Sequence, residues 1–334
     1  MSNVSMIEQR AKELDEQRRI RLIKSEDVDF EKYLHNTDLT QKVRDAQSML
    51  EEVREEFLNP TQEVAQSMPW NKTKEGFAFR AGEVTLYAGG NGGGKSMITG
   101  QIALSLIKQK QKVMIASFEM KPKRTLTRML RQFAGENIYL PRYVSTQRYM
   151  SEIIDRLQVF CYDNLWLYDQ QGTVNAQQVI AVTRYSAMEL GVQHIFIDSL
   201  MKCVAGEDDY NAQKAFVDEL TALARDHNVH IHLIHHIRKL ASEEVQPNKN
   251  DIKGSGAISD QVDNVLMVWR NKKKEHQSQN GTADHLTPDA MLMCEKQRNG
   301  EAEDWYSLWY HKDSQQFIES HDAFPMAFDE KGRF

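Results

Sequence analysis

The segment Gly89-Gly90-Asn91-Gly92-Gly93-Gly94-Lys95-Ser96 constrains this chain more than any other part of its sequence. It follows the apolar run Val84 to Ala88 and precedes an apolar helical stretch near 95 to 108, so it meets the pattern GxxxxGK[ST] in a strand-loop-helix context. Glycines let the backbone bend until successive N–H groups surround a phosphate, and the positive end of the following helix adds to the field. Lys95 is then placed to reach the β- and γ-phosphates, and the Ser96 hydroxyl to ligate Mg²⁺. Glycine richness alone describes a flexible turn; the terminal Gly-Lys-Ser and its flanks point instead to ATP and Mg²⁺.

From Pro69 onward, short apolar runs alternate with helical stretches and turn residues, the pattern of a mainly parallel sheet with crossover helices. Strands are predicted at Val84 to Ala88, Val113 to Phe118, Leu165 to Tyr168, His194 to Ile197, Val229 to Ile234, Val265 to Val268 and Ala290 to Cys294. Helices are predicted near 95 to 108, 122 to 133, 150 to 159, 175 to 190 and 210 to 227. The polar stretch Asn271 to His285, with Lys272, Lys273 and Lys274, reads as an exposed loop.

Residues 1–65 have a different texture, charged and without glycine. Val43, Ala46, Met49, Leu50, Val53 and Phe57 recur at helical spacing, which predicts one or two helices ending near Asn59-Pro60. The segment is too poor in large apolar residues to form its own core, so it is expected to pack on the main domain or on a neighbouring subunit. A partly disordered arm is the competing expectation for the first 25 residues. The expected organisation is a helical N-terminal arm, 1–65, and a P-loop NTPase domain of the α/β class, 66–334.

A net charge of −6 argues against a nucleic-acid partner until it is divided along the chain. Residues 1–65 hold 10 Lys and Arg against 15 Asp and Glu, which leaves 32 against 33 for the remainder. The acidity belongs to the arm, and a near-neutral domain can still carry a basic channel, because local arrangement sets the field. No run approaches the roughly 20 apolar residues of a membrane span, and the polar start lacks the apolar core of a signal peptide. Cys161, Cys203 and Cys294 lie far apart and suggest neither a disulfide framework nor a zinc site. A cytoplasmic location is expected, and the sequons at Asn71 and Asn280 are discounted with it.

A nucleotide site needs acidic partners. Asp198 ends the strand His194 to Ile197 where parallel sheets bind ligands, so it is assigned to Mg²⁺ through the water shell. Glu119 follows the strand Val113 to Phe118, beside the expected γ-phosphate, where a carboxylate can orient and deprotonate water. Taken alone, an exposed strand-end Glu fits a solvated side chain equally well. Five histidines between 227 and 236 raise a metal cluster, but strand geometry turns adjacent residues to opposite faces and no carboxylate or cysteine completes it. Arg270, after the strand Val265 to Trp269, is a candidate for stacking near the nucleotide base.

Five segments in order carry a resemblance: GGNGGGKS; Ser117-Phe118-Glu119-Met120 followed by Arg128-Met129-Leu130; Phe196-Ile197-Asp198-Ser199; Lys253-Gly254-Ser255-Gly256; and Lys296-Gln297-Arg298-Asn299-Gly300. Together they resemble the RecA-like motor domain of DnaB-type replicative helicases, and the helicase half of phage primase-helicases, over roughly residues 66–315. The resemblance implies a ring, usually a hexamer, with ATP between adjacent subunits, single-stranded DNA in the central channel, and a separate primase and loader. It makes Glu119 the catalytic base and His236 the γ-phosphate sensor. Lys296 and Arg298 become cations projecting toward the neighbour's ATP, Arg298 foremost because a fixed guanidinium suits phosphoryl transfer. Lys253, Gly254, Ser255 and Gly256 become a channel loop whose backbone and charge meet DNA phosphates.

Two departures accompany the resemblance. Lys253 and Gly254 stand where bacterial members have Arg and Glu, closer to phage enzymes. About 65 cysteine-free residues precede the motor, so no fused primase is expected, and a stand-alone phage or plasmid-type helicase is the natural form. The leading expectation is an ATP-driven DNA helicase; the alternatives are a RecA-like recombinase or recombination mediator, and an ATP-regulated DNA-binding or loading protein without unwinding activity.

Overall fold

A computed structural model describes residues 21–34, 46–58, 65–139, 147–204, 206, 209–254 and 256–328. Its strands are β1 (Arg21–Ile23), β2 (Val84–Gly89), β3 (Val113–Ser117), β4 (Leu165–Tyr168), β5 (His194–Asp198), β6 (His230–His236), β7 (Asn264–Arg270), β8 (Ala290–Gln297), β9 (Trp305–His311) and β10 (Gln316–Ile318). Its α-helices are α1 (Phe30–Leu34), α2 (Ala46–Leu58), α3 (Lys95–Lys108), α4 (Pro122–Ala134), α5 (Gln147–Cys161), α6 (Ala176–Met188), α7 (Tyr210–Asp226), α8 (Ala257–Gln261) and α9 (Lys272–Gln279).

The strands form one sheet in the order β1-β4-β3-β5-β6-β2-β7-β8-β9-β10. Strands β1 through β7 are parallel, and β8, β9 and β10 close the far edge antiparallel. All six residues of β2 are buried, as expected where helices cover both faces of a parallel sheet. One face buries Val84, Leu86 and Ala88 against Val179 and Ile180 of α6 and Phe216 of α7. The other buries Tyr87 with Ile98 and Ile102 of α3, Met129 of α4 and Ile153 of α5. Side chains alternate between faces with the two-residue period of a strand, so each core is built from every second position.

Local signals set the helix ends beside the nucleotide loop. Gly94 has φ +92° at the N-cap of α3, a left-handed backbone that L side chains rarely adopt. Pro122 starts α4, and Gly135 (φ +72°) ends it by donating its N–H to Arg131 and Gln132 carbonyls.

Three sequence expectations are corrected. The arm is not helical throughout: β1 pairs with β4, and Ile23, Val28 and Tyr33 bury into the main core. The first 20 residues lie outside the described region. Asn271 to His285 is not simply a loop, since residues 272–279 form α9. Its side chains lack an apolar stripe, yet Asn271 caps it by accepting from the Lys274 N–H. Lys274 itself is buried, bonded to the Thr287 carbonyl at 2.5 Å and paired with Asp289 at 2.8 Å. Finally, β9 and β10 were absent from the predicted strands, although Tyr306, Leu308 and Tyr310 alternate with polar or aromatic positions in the manner of a strand.

Candidate nucleotide site

The sheet register gathers the carboxyl ends of β2, β3, β5 and β6. Gly89 lies opposite His236, and Ser117 opposite Asp198. Gly89 runs so close to β7 that an added Cβ would stand 2.4 Å from the Val268 carbonyl oxygen. Gly90, Asn91, Gly92 and Gly93 then turn the chain over the end of β2, with Gly93 N–H donating to the Gly90 carbonyl at 3.1 Å. Lys95 folds back into this turn: Nζ donates to the Gly89 and Gly90 carbonyls at 2.8 and 2.9 Å. Burial pulls the Lys95 ammonium below its ordinary pKa, against the opposing attraction of Asp198 and Glu119.

Ser96 Oγ donates to Asp198 Oδ2 at 2.7 Å. Burial raises the Asp198 carboxyl above its usual range, and the Ser96 bond opposes that rise. A hydroxyl and a nearly buried carboxylate converging at a helix N-terminus form the oxygen donor set that a hard divalent cation takes, and a cation there would offset the cost of the buried charge. The residues present therefore fit Mg²⁺.

Glu119 lies beyond β3, 37% exposed at its side chain, and accepts from Ser199 Oγ at 3.1 Å. His236 joins it to the loop. The Lys95 ammonium is 3.4 Å from His236 Nδ1, and His236 Nε2 is 3.5 Å from Glu119 Oε1. An ammonium can only donate, so Nδ1 accepts and the hydrogen belongs on Nε2, directed at Glu119. That contact first, and the Ser199 bond after it, hold the Glu119 carboxyl below its ordinary pKa against the opposing effect of burial. A water held by this carboxylate would lie next to the loop that cradles phosphate.

These groups line a cavity of about 570 Å³ together with Arg128, which the sequence had marked only as part of a motif. A second cavity, about 690 Å³, opens on the other side of Gly94 between Met97, Arg270, Tyr310 and Phe317. Arg270 Nη1 donates to the Gly92 carbonyl at 3.1 Å and Nη2 to Glu275 Oε1 at 2.7 Å, so its guanidinium is fixed against the phosphate loop. Arg270 and Tyr310 thus line the same cavity beside the loop, a planar cation and an aromatic ring. Tyr310 and Phe317 escaped sequence reading with β9 and β10; the aromatic run Trp305 to His311 was the signal available.

The predicted channel loop is tied to the same strand end. Lys253 N–H donates to the His236 carbonyl at 3.0 Å, and buried His235 Nε2 lies 2.6 Å from the Lys253 carbonyl. Gly254 has φ +98°, a left-handed backbone that L side chains rarely adopt, so glycine is favoured there by conformation; an added Cβ would also meet the end of the Gln213 side chain, which would have to move. Gly256 caps α8, and Ser255 lies outside the described residues.

Lys296 and Arg298 lie elsewhere. Strand β8 runs antiparallel to β7, which carries them to the amino end of the parallel strands, about 16 Å from the phosphate loop by the length of β2. Lys296 Nζ donates to the carbonyls of Ser259, Asp260 and Val262 at 2.7 to 2.9 Å, closing the end of α8. Arg298 pairs with Asp263 at 2.8 Å and remains 41% exposed. Neither meets the nucleotide cavity of its own chain. Among the described residues no metal-binding group of His, Cys, Asp and Glu is found and no helix is long and apolar enough to cross a membrane.

The family model described as the DnaB-like helicase C-terminal domain matches residues 71–319. Among solved structures, the ATPase domain of a phage protein superposes with a TM-score of 0.68 at 16% identity, over 83% of this chain and 99% of that one. A DnaB-like replicative helicase, described with its interactions with primase, gives a TM-score of 0.65 at 15% identity, over 83% of this chain and 67% of that one. At such identities the likeness establishes the shared RecA-like fold. With the phosphate loop, the strand-end carboxylates and three quarters of its length matched to one family model, the chain belongs to the DnaB-like helicase family, as an ATP-hydrolysing replicative DNA helicase.

Proposed function

We propose that this chain is the motor subunit of a ring, a hexamer, that hydrolyses ATP between adjacent subunits and translocates on single-stranded DNA. The observation that carries the proposal is the division of the site across the sheet. The phosphate loop, Asp198, Glu119 and His236 meet at one end, while Arg298 stands at the other with an exposed guanidinium. A site completed by the opposite face of an identical chain is a head-to-tail contact, which closes into a ring when its rotation permits.

In this scheme Gly89, Gly90, Asn91, Gly92, Gly93 and Gly94 present backbone N–H groups to the phosphates, and Lys95 leaves its two carbonyls to meet the β- and γ-oxygens. Ser96 and Asp198 hold Mg²⁺, which when bound neutralises phosphate charge. Glu119 orients and deprotonates water, and His236 couples Glu119 to Lys95 at the γ-phosphate position. Arg298 of one subunit meets the charge developing on its neighbour's nucleotide; Lys296 supports the segment by closing α8. Arg270 and Tyr310 hold the base. Lys253, Gly254, Ser255 and Gly256 face DNA, and the hydrogen bond from Lys253 to His236 gives nucleotide state a direct path to that loop.

Helix α2 exposes Met49, Leu50 and Leu58, which suits an arm covered by the adjacent subunit. The remaining parts of the proposal are a separate primase and loader as partners and action in the cytoplasm. Fork unwinding with ATP and Mg²⁺, measured beside mass photometry with and without single-stranded DNA, tests the proposal. Closed rings that unwind are expected. Filaments that coat DNA without unwinding would establish a recombinase-like assembly instead, and ATP-dependent binding without turnover a loading protein.

A further inference from the structure

At the amino end of the parallel strands, the end of β8 is clamped by the buried Glu83 carboxylate and by the backbone of Asp263. Asn299 Nδ2 donates to Glu83 Oε1 at 2.7 Å, and the Arg298 N–H donates to the Asp263 carbonyl at 3.0 Å. Gln297 Nε2 donates to the Gly76 carbonyl at 2.9 Å, and a Cβ at Gly300 would stand 2.0 Å from Gln297 Cδ. The backbone that carries Arg298 is therefore fixed on both sides.

The side chain of Arg298 is held differently. Asp263 is 3% exposed, and its Oδ2 accepts from the Val84 N–H at 3.0 Å, so this carboxylate is locked to the start of β2. Its Oδ1 takes Arg298 Nη1 at 2.8 Å, and Arg298 Nη2 reaches the Asp260 carbonyl at 3.2 Å. A fixed anion thus aims a guanidinium whose other side faces an open cleft of about 1310 Å³. Arg225 Nη2 stands 3.5 Å from the same Oδ1. Asp263 therefore has two cationic partners, and its buried charge stays compensated beside Arg298.

We propose that Asp263 is the positioning residue of Arg298, aiming it across the subunit boundary at the neighbour's nucleotide. The inference rests on the in-trans reading above. Asp263 touches no nucleotide of its own chain, so its effect must appear at the adjacent subunit's site. Asp263→Asn preserves size and an oxygen for the Val84 N–H while removing the charge that aims Arg298.

The test is subunit complementation with the full chain. Asp263→Asn alone should bind ATP as the parent does and keep its KM for ATP, while kcat falls at least about tenfold, the scale expected when a catalytic group is misplaced. Lys95→Ala alone should be inactive. Co-expressed with distinct tags and purified as mixed assemblies, Lys95→Ala subunits should restore turnover at Asp263→Asn sites, because they supply an intact Arg298 to intact phosphate loops. Arg298→Ala paired with Lys95→Ala is the control. If the control pair stays inactive, the in-trans reading itself falls, and this inference with it. If the control pair recovers and the Asp263→Asn pair does not, Asp263 merely maintains its own fold and the inference alone is overturned.

Discussion

Four histidines inside this domain are held neutral, which makes its stability steeply dependent on pH. His194, His230, His232 and His235 are buried. Burial lowers all four, His230 and His235 to about 4 and His194 and His232 well below their ordinary 6.5. Their hydrogen bonds suit neutral rings: His232 Nδ1 is 3.0 Å from Tyr87 Oη and its Nε2 is 3.1 Å from His194 Nδ1, while His230 Nε2 is 2.8 Å from Thr85 Oγ1. A group whose folded pKa is depressed contributes stability above its unfolded pKa and loses it as pH falls toward the folded value. The window here runs from 6.5 down to about 4. Moving from pH 7.5 to pH 5 should cost about 2 kcal/mol at His230 and about 2 kcal/mol at His235. His194 and His232 add to the loss in the same direction. Against a typical total of roughly 5–15 kcal/mol, that is a large fraction. Urea unfolding at pH 7.5, 6.5, 5.5 and 5.0, followed by tryptophan fluorescence, measures it. His232→Phe provides the control: the ring stacks on Phe196 with centroids 3.9 Å apart, so a phenyl ring fits, and the slope with pH should fall. Stability that stays constant between pH 6.5 and 5, or a slope unchanged in His232→Phe, would refute the assignment of neutral buried rings.

Three further outcomes are expected. Glu119→Gln should retain ATP binding and lose turnover by at least about a hundredfold, the scale of general-base catalysis, in a steady-state phosphate-release assay; turnover within twofold of the parent removes Glu119 as the base. Gly89→Ala should destabilise the fold by about 1–3 kcal/mol in the same urea assay, because its Cβ would overlap the Val268 carbonyl of the neighbouring strand; an unchanged midpoint would show that β2 and β7 can separate. Lys253→Ala should weaken binding to single-stranded DNA uniformly across sequences and reduce the salt slope by about one phosphate contact; an identical slope removes Lys253 from the DNA path.

Much of the fold was readable because its signals are local. The phosphate loop announces itself through glycine spacing, and β2 through β7 announce themselves as short apolar runs between helical stretches. What escaped depended on partners remote in sequence. Helix α9 has almost no apolar character and is held by an Asn271 cap and by Lys274 buried against Asp289. Strand β1 is three residues long and gains meaning only beside β4. The candidate site followed the same division: the motif marks Lys95 and Ser96 and strand-end position marks Asp198, whereas Glu119 was singled out as the base only by the family resemblance; the fold brings all four to one cavity. Tyr310 and Phe317 were not legible, because they reach the phosphate loop from the other end of the chain.

By itself the sequence determined that this protein binds a nucleoside triphosphate on a parallel α/β sheet, because a glycine-rich turn between strand and helix is a local arrangement with one chemistry. Only the tertiary structure decided where the charged groups stand relative to that turn. Strand order brings His236 between Lys95 and Glu119, and strand direction carries Arg298 away from them to rest on Asp263. Spacing along a chain cannot encode which end of a sheet a residue reaches; the antiparallel turn of β8 against β7 does.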